Sequence, residues 1–262
     1  MNKSGCMLIL AAAFLVAGCA SNSRVDADRE LQTSSDQTDI QKRARIRLQL
    51  AVGYYQQQQL SVALDEIKQS LQADPNFAEA YSVRGLIYMD MGEMRLADDN
   101  FQHALRLAPQ NPDFNNNYGW FLCQNGRPEQ SIGYFESALK SRTYQSPAKA
   151  LSNAGTCSLR MKKVAEAERY FNDAFRLDPG SISTSISLAK LNYERGDYEK
   201  ARFYISRVTR SDDLSAQALW QAIKIERKLG DRAAELSLVT QLNRRFPNST
   251  EFAAYQRGAF DE

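Results

Sequence analysis

The sequence predicts an all-α protein, a right-handed α-solenoid of six helix hairpins followed by a short capping helix. Two observations carry that expectation: a fixed step along the chain and the residue types that recur on it. Pro75, Pro109, Thr143, Pro179, Asp213 and Pro247 stand 34 residues apart, with a single step of 36. The same ruler carries small residues at Ala51, Gly85, Gly119, Gly155 and Ala189, and again at Ala63, Ala97, Ser131, Ala167 and Ala201. It also carries a bulky series, Ile67, Phe101, Phe135, Phe171, Ile205 and Val239. Small residues let two helices cross closely, and proline ends the second helix of each pair. One hairpin cannot bury its apolar stripe alone, so neighbours must stack to make a core. Such a stack presents a long concave surface, which argues for binding rather than catalysis.

Residues 1–18 read as a signal peptide. Lys3 supplies the positive start, and Met7 to Ala17 form an apolar run of 11, too short to span a bilayer. Val16-Ala17-Gly18-Cys19 looks like the lipobox of bacterial lipoproteins, in which the Cys thiol takes a diacylglycerol and becomes residue one after cleavage. Two or more acyl chains, palmitate among them, make attachment stable. In such proteins the residue after the Cys steers sorting, and Ala20 points to the periplasmic face of the outer membrane. Residues 19–40 are then a tether: Ser, Asp, Gln and Thr dominate, with Val25 and Leu31 the only larger apolar residues before Asp39. From about Gln41 to residue 262 the pattern is helical throughout.

The units fall at residues 44–77, 78–111, 112–145, 148–181, 182–215 and 216–249. Position 15 of each, in the turn between paired helices, holds Gln58, Gly92, Gly126, Lys162, Gly196 and Gly230. Four glycines of six fit a left-handed residue after the first helix. A unit of this length, with small residues at the crossing and proline after the second helix, resembles the tetratricopeptide repeat. The sixth unit departs from the pattern, with Ile223 and Glu235 where small residues are usual. Asn248 to Arg257 read as the capping helix, with Asn248 and Glu251 in capping-box spacing and Phe252 and Tyr255 facing inward. Tyr144-Gln145-Ser146-Pro147 lengthens one connection by two residues. It is either a tolerated surface insertion or a change of angle between the two halves.

Charge is balanced, 33 Lys plus Arg against 31 Asp plus Glu, so nothing suggests a nucleic-acid partner. Lys224, Arg227, Lys228 and Arg232 form a local basic exception, read as a solvated helix face, with a docking patch for an acidic segment as the alternative. Catalysis finds no support. His103 is the sole histidine, with no Ser-His-Asp arrangement, no metal-ligand spacing and no Gly-rich phosphate loop around it. No cofactor, no metal and no small-molecule substrate is expected.

In this repeat, positions 2, 5, 9, 12 and 13 of the first helices point into the groove. Across the first three units they place Val52, Tyr55, Leu86, Met89 and Trp120 in an apolar strip, flanked by Asn116. Because the core positions are filled by other residues, the strip reads as surplus and suited to an amphipathic helix or extended peptide. Leu48 with Val52, and Ser82 with Leu86, do not supply the Lys and Asn of a carboxylate clamp. Units four to six offer a more polar lining: Lys149, Ser152, Thr156, Lys190, Tyr193, Lys224 and Arg227. Cys123 and Cys157 sit on adjacent first helices. An even pair in an oxidising compartment favours a disulfide, and two separate small buried residues are the alternative.

The run Asn115-Asn116-Asn117-Tyr118-Gly119-Trp120-Phe121-Leu122-Cys123, then Gly126-Arg127-Pro128 and Ala150 to Cys157, resembles the type IV pilus biogenesis lipoproteins, the PilF/PilW family of pilotins. The resemblance covers nearly the whole chain, from lipobox and tether through all six repeats. It implies a lipid-anchored binding protein that helps the outer-membrane secretin assemble, so that secretin, or another pilus-assembly protein, is the expected partner. The rival expectation is a periplasmic adaptor that scaffolds a protease or a cell-wall hydrolase.

Overall fold

The computed structural model describes residues 38–211 and 214–260. Among them are thirteen helices and no strand. Twelve form six hairpins: α1 (Asp39–Gln56) with α2 (Leu60–Ala73), α3 (Ala78–Asp90) with α4 (Met94–Leu107), α5 (Pro112–Gln124) with α6 (Pro128–Leu139), α7 (Pro147–Arg160) with α8 (Val164–Leu177), α9 (Ile182–Glu194) with α10 (Tyr198–Val208), and α11 (Ala216–Leu229) with α12 (Arg232–Arg245). A short α13 (Thr250–Arg257) follows. Each second helix also packs on the first helix of the next hairpin, so the hairpins stack in chain order.

Within each hairpin the crossing is set by a matched pair sixteen residues apart. Gly85 faces Phe101, Gly119 faces Phe135 and Gly155 faces Phe171, and a β-carbon on any of these glycines would sit 2.8–2.9 Å from the ring. Units one and five carry the pairs Ala51 with Ile67 and Ala189 with Ile205 instead, all four buried. The larger ring therefore accompanies the absent side chain, and the smaller aliphatic accompanies a methyl. Filling the crossing to interior density demands this trade, since protein cores pack like organic crystals. The sixth unit breaks the rule with Ile223, yet Ile223 is fully buried in the largest apolar cluster, with Leu219, Ile225, Leu242 and partly buried Val239. Glu235, standing where a small residue is usual, is held by Arg227 at 2.9 Å.

The turn residue after each first helix is left-handed in all six units. Gly92, Gly126, Gly196 and Gly230 have φ of 73–84°, and Gln58 and Lys162 share the conformation at φ 59° without being glycine. The hairpin geometry therefore overrides residue preference at two turns of six.

Caps fix where helices begin. The Asn111 side chain accepts from the backbone N–H groups of Asp113 and Phe114, with Pro112 in the first turn of α5. Ser181, Ser215 and Ser249 cap α9, α11 and α13. The cap of α13 is thus Ser249, whose Oγ accepts from Phe252 N at 3.1 Å, and not Asn248. Asn248 lies one residue too early for its side chain to reach that N–H.

The two-residue insertion is not a bland surface loop. It drives Tyr144 into a small cluster with Ala138 of α6 and Ala150 of α7, where the ring is 7% exposed. The phenol finds no hydrogen-bond partner there, and burial, with the nearby Asp113 carboxylate second, pushes it up to about 12.

Candidate functional site

The first helices lie side by side, α1 on α3, α3 on α5 and α5 on α7. On this inner face Val52, Tyr55, Leu86, Met89 and Trp120 are all partly exposed, on consecutive first helices as the spacing places them. They are not surplus, however. Tyr55 packs against the cluster of Ala51, Ile67 and Ile87, Leu86 and Met89 against that of Phe101, Phe121 and Leu122, and Trp120 against Cys123, Phe135 and Cys157. Only Val52 stands outside these clusters. Each of the other four gives one side to the core and one to the groove, which fixes their orientation and leaves a shaped apolar surface rather than loose side chains.

Asn116 differs from expectation. It is 2% exposed and does not flank the strip as an open contact. Its Oδ1 accepts from Asn153 Nδ2 of α7 at 3.0 Å, and its Nδ2 donates to Asn117 Oδ1 at 3.4 Å. Asn117 Nδ2 in turn reaches Ser82 Oγ on α3 at 3.2 Å. Asn115 donates to the carbonyls of Pro109 and Asn111, both at 2.9 Å, tying α5 to the turn before it. The asparagine run is therefore a joint: one residue holds the preceding turn, and the other two hold the neighbouring first helices. Buried amides are tolerated only when their donors and acceptors are matched, and here they match each other. Asn117 and Asn153 were missed in the sequence. The signal was there: a polar residue at position 5 of one unit and Asn at position 6 of the next, in Ser82 with Asn117 and in Asn116 with Asn153.

Further cross-repeat bonds stiffen the same face. The Tyr55 hydroxyl donates to Asp90 Oδ2 at 2.6 Å, and burial, aided by that bond, raises its phenol well above the ordinary value. Arg160 donates to the Cys123 carbonyl at 3.1 Å and to Gln124 Oε1. A disulfide joins Cys123 to Cys157, with Cα atoms 5.8 Å apart, directly behind Trp120. On the outer side Asp98 gathers Arg127 at 2.7 Å, Tyr118 at 2.8 Å and Gln102 at 2.8 Å. Burial by itself would raise the Asp98 carboxyl, but these three donors outweigh it and hold it below the usual range. The first three hairpins and α7 thus form a pre-organised platform.

The C-terminal basic residues are differently engaged. Arg227 bonds Glu235, and its guanidinium lies 3.8 Å from the centre of the Phe260 ring; Lys224 lies 5.7 Å from that of Tyr193. His103 stacks on Tyr81 with ring centroids 4.0 Å apart, and burial, with Arg106 and Arg84 nearby, lowers its pKa. Its surroundings are those of a packing residue. Among the described residues no cluster of His, Cys, Asp and Glu is arranged to hold a metal ion, and no helix is long and apolar enough to cross a membrane. Cys19, the signal segment and most of the tether lie outside the described residues.

Models of the tetratricopeptide repeat match residues 78–111, 100–133, 122–182 and 158–224. The type IV pilus assembly protein PilF of Pseudomonas aeruginosa is 30% identical over 209 residues, which is 80% of this chain and 83% of that protein. The chain belongs to the type IV pilus biogenesis family of tetratricopeptide-repeat proteins. Two solved structures of this family superpose closely. PilW, a type IV pilus biogenesis factor, matches with a TM-score of 0.73 at 32% identity over 81% of this chain and 98% of its own. Pseudomonas aeruginosa PilF matches with a TM-score of 0.76 at 28% identity over 84% of this chain and all of its own.

Proposed function

We propose that this chain is an outer-membrane-anchored pilotin, lipidated at Cys19, that binds the type IV pilus secretin in the groove of its first three hairpins and so assists ring assembly. The observation that carries the proposal is the strip Val52, Tyr55, Leu86, Met89 and Trp120, partly exposed on three successive first helices, with all but Val52 backed by core clusters and Trp120 also by the disulfide. An apolar groove of this form takes an amphipathic helix or an extended segment. Trp is the most enriched anchor type in protein interfaces, and such anchors carry about 2 kcal/mol or more. Membership of a pilus biogenesis family supports a partner within the pilus apparatus.

The test is capture of detergent-solubilised secretin by the purified protein. Trp120→Ala weakens capture at least tenfold, roughly 1.4 kcal/mol. Because Trp120 also leans on the core, Val52→Glu serves as a second variant at a position outside the apolar clusters; it weakens capture with an unchanged melting curve. Charge reversal at Lys224 matters less, since rim charges act more on association rate than on affinity, and Arg227 is exchanged only for Lys because its charge pairs with the nearly buried Glu235. The opposite ranking, with the C-terminal charges essential and both groove variants silent, would move the site and overturn the assignment. Cys19→Ser leaves a folded protein that is released from the membrane fraction.

A further inference from the structure

Among the described residues, a helix caps the stack of hairpins at its C-terminal end and none does so at its N-terminal end. At the C-terminal end α13 lays Phe252 and Tyr255 on the terminal cluster, and the Phe260 ring reaches back to Trp220 with centroids 5.1 Å apart. At every internal junction the third residue of the unit is buried: Ala80, Phe114, Ala150, Thr184 and Ala218 are none more than 4% exposed. The first junction shows how, with Ala80 and Ile87 in one cluster with Ile67 and Leu71 of α2. In unit one the equivalent residue is Ile46, and nothing precedes it among the described residues. Ile46 is 55% exposed and Leu50, one turn on, is 43% exposed. A terminal repeat ordinarily presents a polar outer face, and this one presents two branched aliphatics.

Their surroundings are basic. Helix α1 carries Lys42, Arg43, Arg45 and Arg47 against a single carboxylate, Asp39. Arg47 pairs with Glu66 at 2.9 Å and the Arg45 guanidinium lies 5.9 Å from the centre of the Phe77 ring. Lys42 and Arg43 are exposed, and with Ile46, Leu50 and the first-turn carboxylate Asp39 they fall within about 100° of the helix circumference at 3.6 residues per turn, an arc with two cations against one anion. A helix face of aliphatics bracketed by cations is the pattern of a segment that lies in the headgroup layer of an anionic bilayer.

We propose that this N-terminal end of the solenoid docks on the surface of an anionic membrane, with Ile46 and Leu50 in the interfacial layer and Lys42 and Arg43 on acidic phospholipid headgroups. The inference rests on the reading of Cys19 as the lipid anchor in one respect, the choice of a bilayer over a second protein as occupant. The connection from Cys19 to Asp39 is twenty residues, whose reach is at most about 70 Å even when fully extended. An anchored protein therefore keeps α1, the near end of the stack, within that reach of the bilayer, and the surface contact becomes intramolecular with a millimolar effective concentration. Docking by α1 would leave the inner face clear of the lipid and fix its orientation for a membrane-embedded partner.

The experiment uses the exported full chain with Cys19→Ser, so that the surface is read without the acyl chains. It is sedimented with vesicles of phosphatidylethanolamine and phosphatidylglycerol, and with vesicles in which phosphatidylcholine replaces the acidic lipid. The expected result is partition onto the anionic vesicles that falls with added salt and drops at least tenfold in I46E/L50E, whose melting curve matches that of the parent. No partition at millimolar anionic lipid overturns the proposal, as does partition that the double variant leaves intact. A dimer that dissociates in the double variant also overturns it and gives the face to a second copy. The anchor is tested separately, by the mass of the unaltered mature chain: an unlipidated Cys19 with intact vesicle binding refutes the anchor alone, and a lipidated Cys19 without vesicle binding refutes the docking alone.

Discussion

Gly155→Ala tests the size-matched crossings most directly. A β-carbon at residue 155 would stand 2.8 Å from Phe171 Cε1 and 2.9 Å from both Cδ1 and Cζ. Phe171 is wholly buried, in a cluster with Ala167, Leu188 and Leu191, so its ring has no solvent to swing into. Overpacking of a full core costs about 1–3 kcal/mol. The upper part of that range applies, because three ring carbons fall below any normal contact distance. Alanine returns about 1 kcal/mol through helix propensity, leaving a net loss of about 1–2 kcal/mol. For a domain of this size each kcal/mol moves the melting temperature by about 2–4 °C, so thermal unfolding followed by circular dichroism should show a drop of about 2–8 °C. Phe171→Ile alone leaves a void and should destabilise by about 2 kcal/mol. The double variant Gly155→Ala/Phe171→Ile recreates the pair found at Ala51 with Ile67 and at Ala189 with Ile205, and should be at least 1 kcal/mol more stable than the sum of the single losses allows. If Gly155→Ala melts at or above the parent temperature, or if the two changes simply add, the crossing is not set by this pair.

Gln58→Gly relieves a left-handed residue at φ 59° and should raise stability by about 0.5–1 kcal/mol, the strain released exceeding the added freedom of the unfolded chain; Gly92→Ala in the equivalent turn should lower it, both read from melting curves. Reduction of the Cys123–Cys157 bond, which closes a loop of 34 residues, should destabilise by about 3–4 kcal/mol on the loop-entropy model, and thiol titration of the unreduced denatured Cys19→Ser protein should find neither of these two thiols free. Tyr144→Phe removes a buried hydroxyl without a partner and should stabilise at neutral pH by about 1 kcal/mol. The folded Tyr144 pKa of about 12 lies above its value of 10 in the unfolded chain, so its neutral form favours the fold below pH 10 and that contribution is lost as pH rises through 12. The stability lost by the parent between pH 10 and 12 should accordingly be smaller in Tyr144→Phe.

The sequence by itself determined the repeat and everything that repeats with it. The turn position recurs in six units and the small residues at the helix crossing in five, so several sites report one constraint; even Gln58 and Lys162 could be placed in the left-handed turn by phase, against their own preference. Proline and glycine make these signals local, and a local signal needs no knowledge of neighbours. Other features were decided only by the tertiary structure. Position 5 of unit three is turned from the groove into the joint between first helices, where Asn116 is buried and accepts from Asn153, 37 residues away. The same packing turned Tyr55, Leu86, Met89 and Trp120 half into the core, drew Tyr144 from a loop into the joint between α6 and α7, and left Ile46 and Leu50 exposed on the first described helix. Each depends on whether another helix stands against the residue. That is a property of how hairpins stack, and a residue's own helix carries the same periodicity whether its outer face meets a neighbour or nothing.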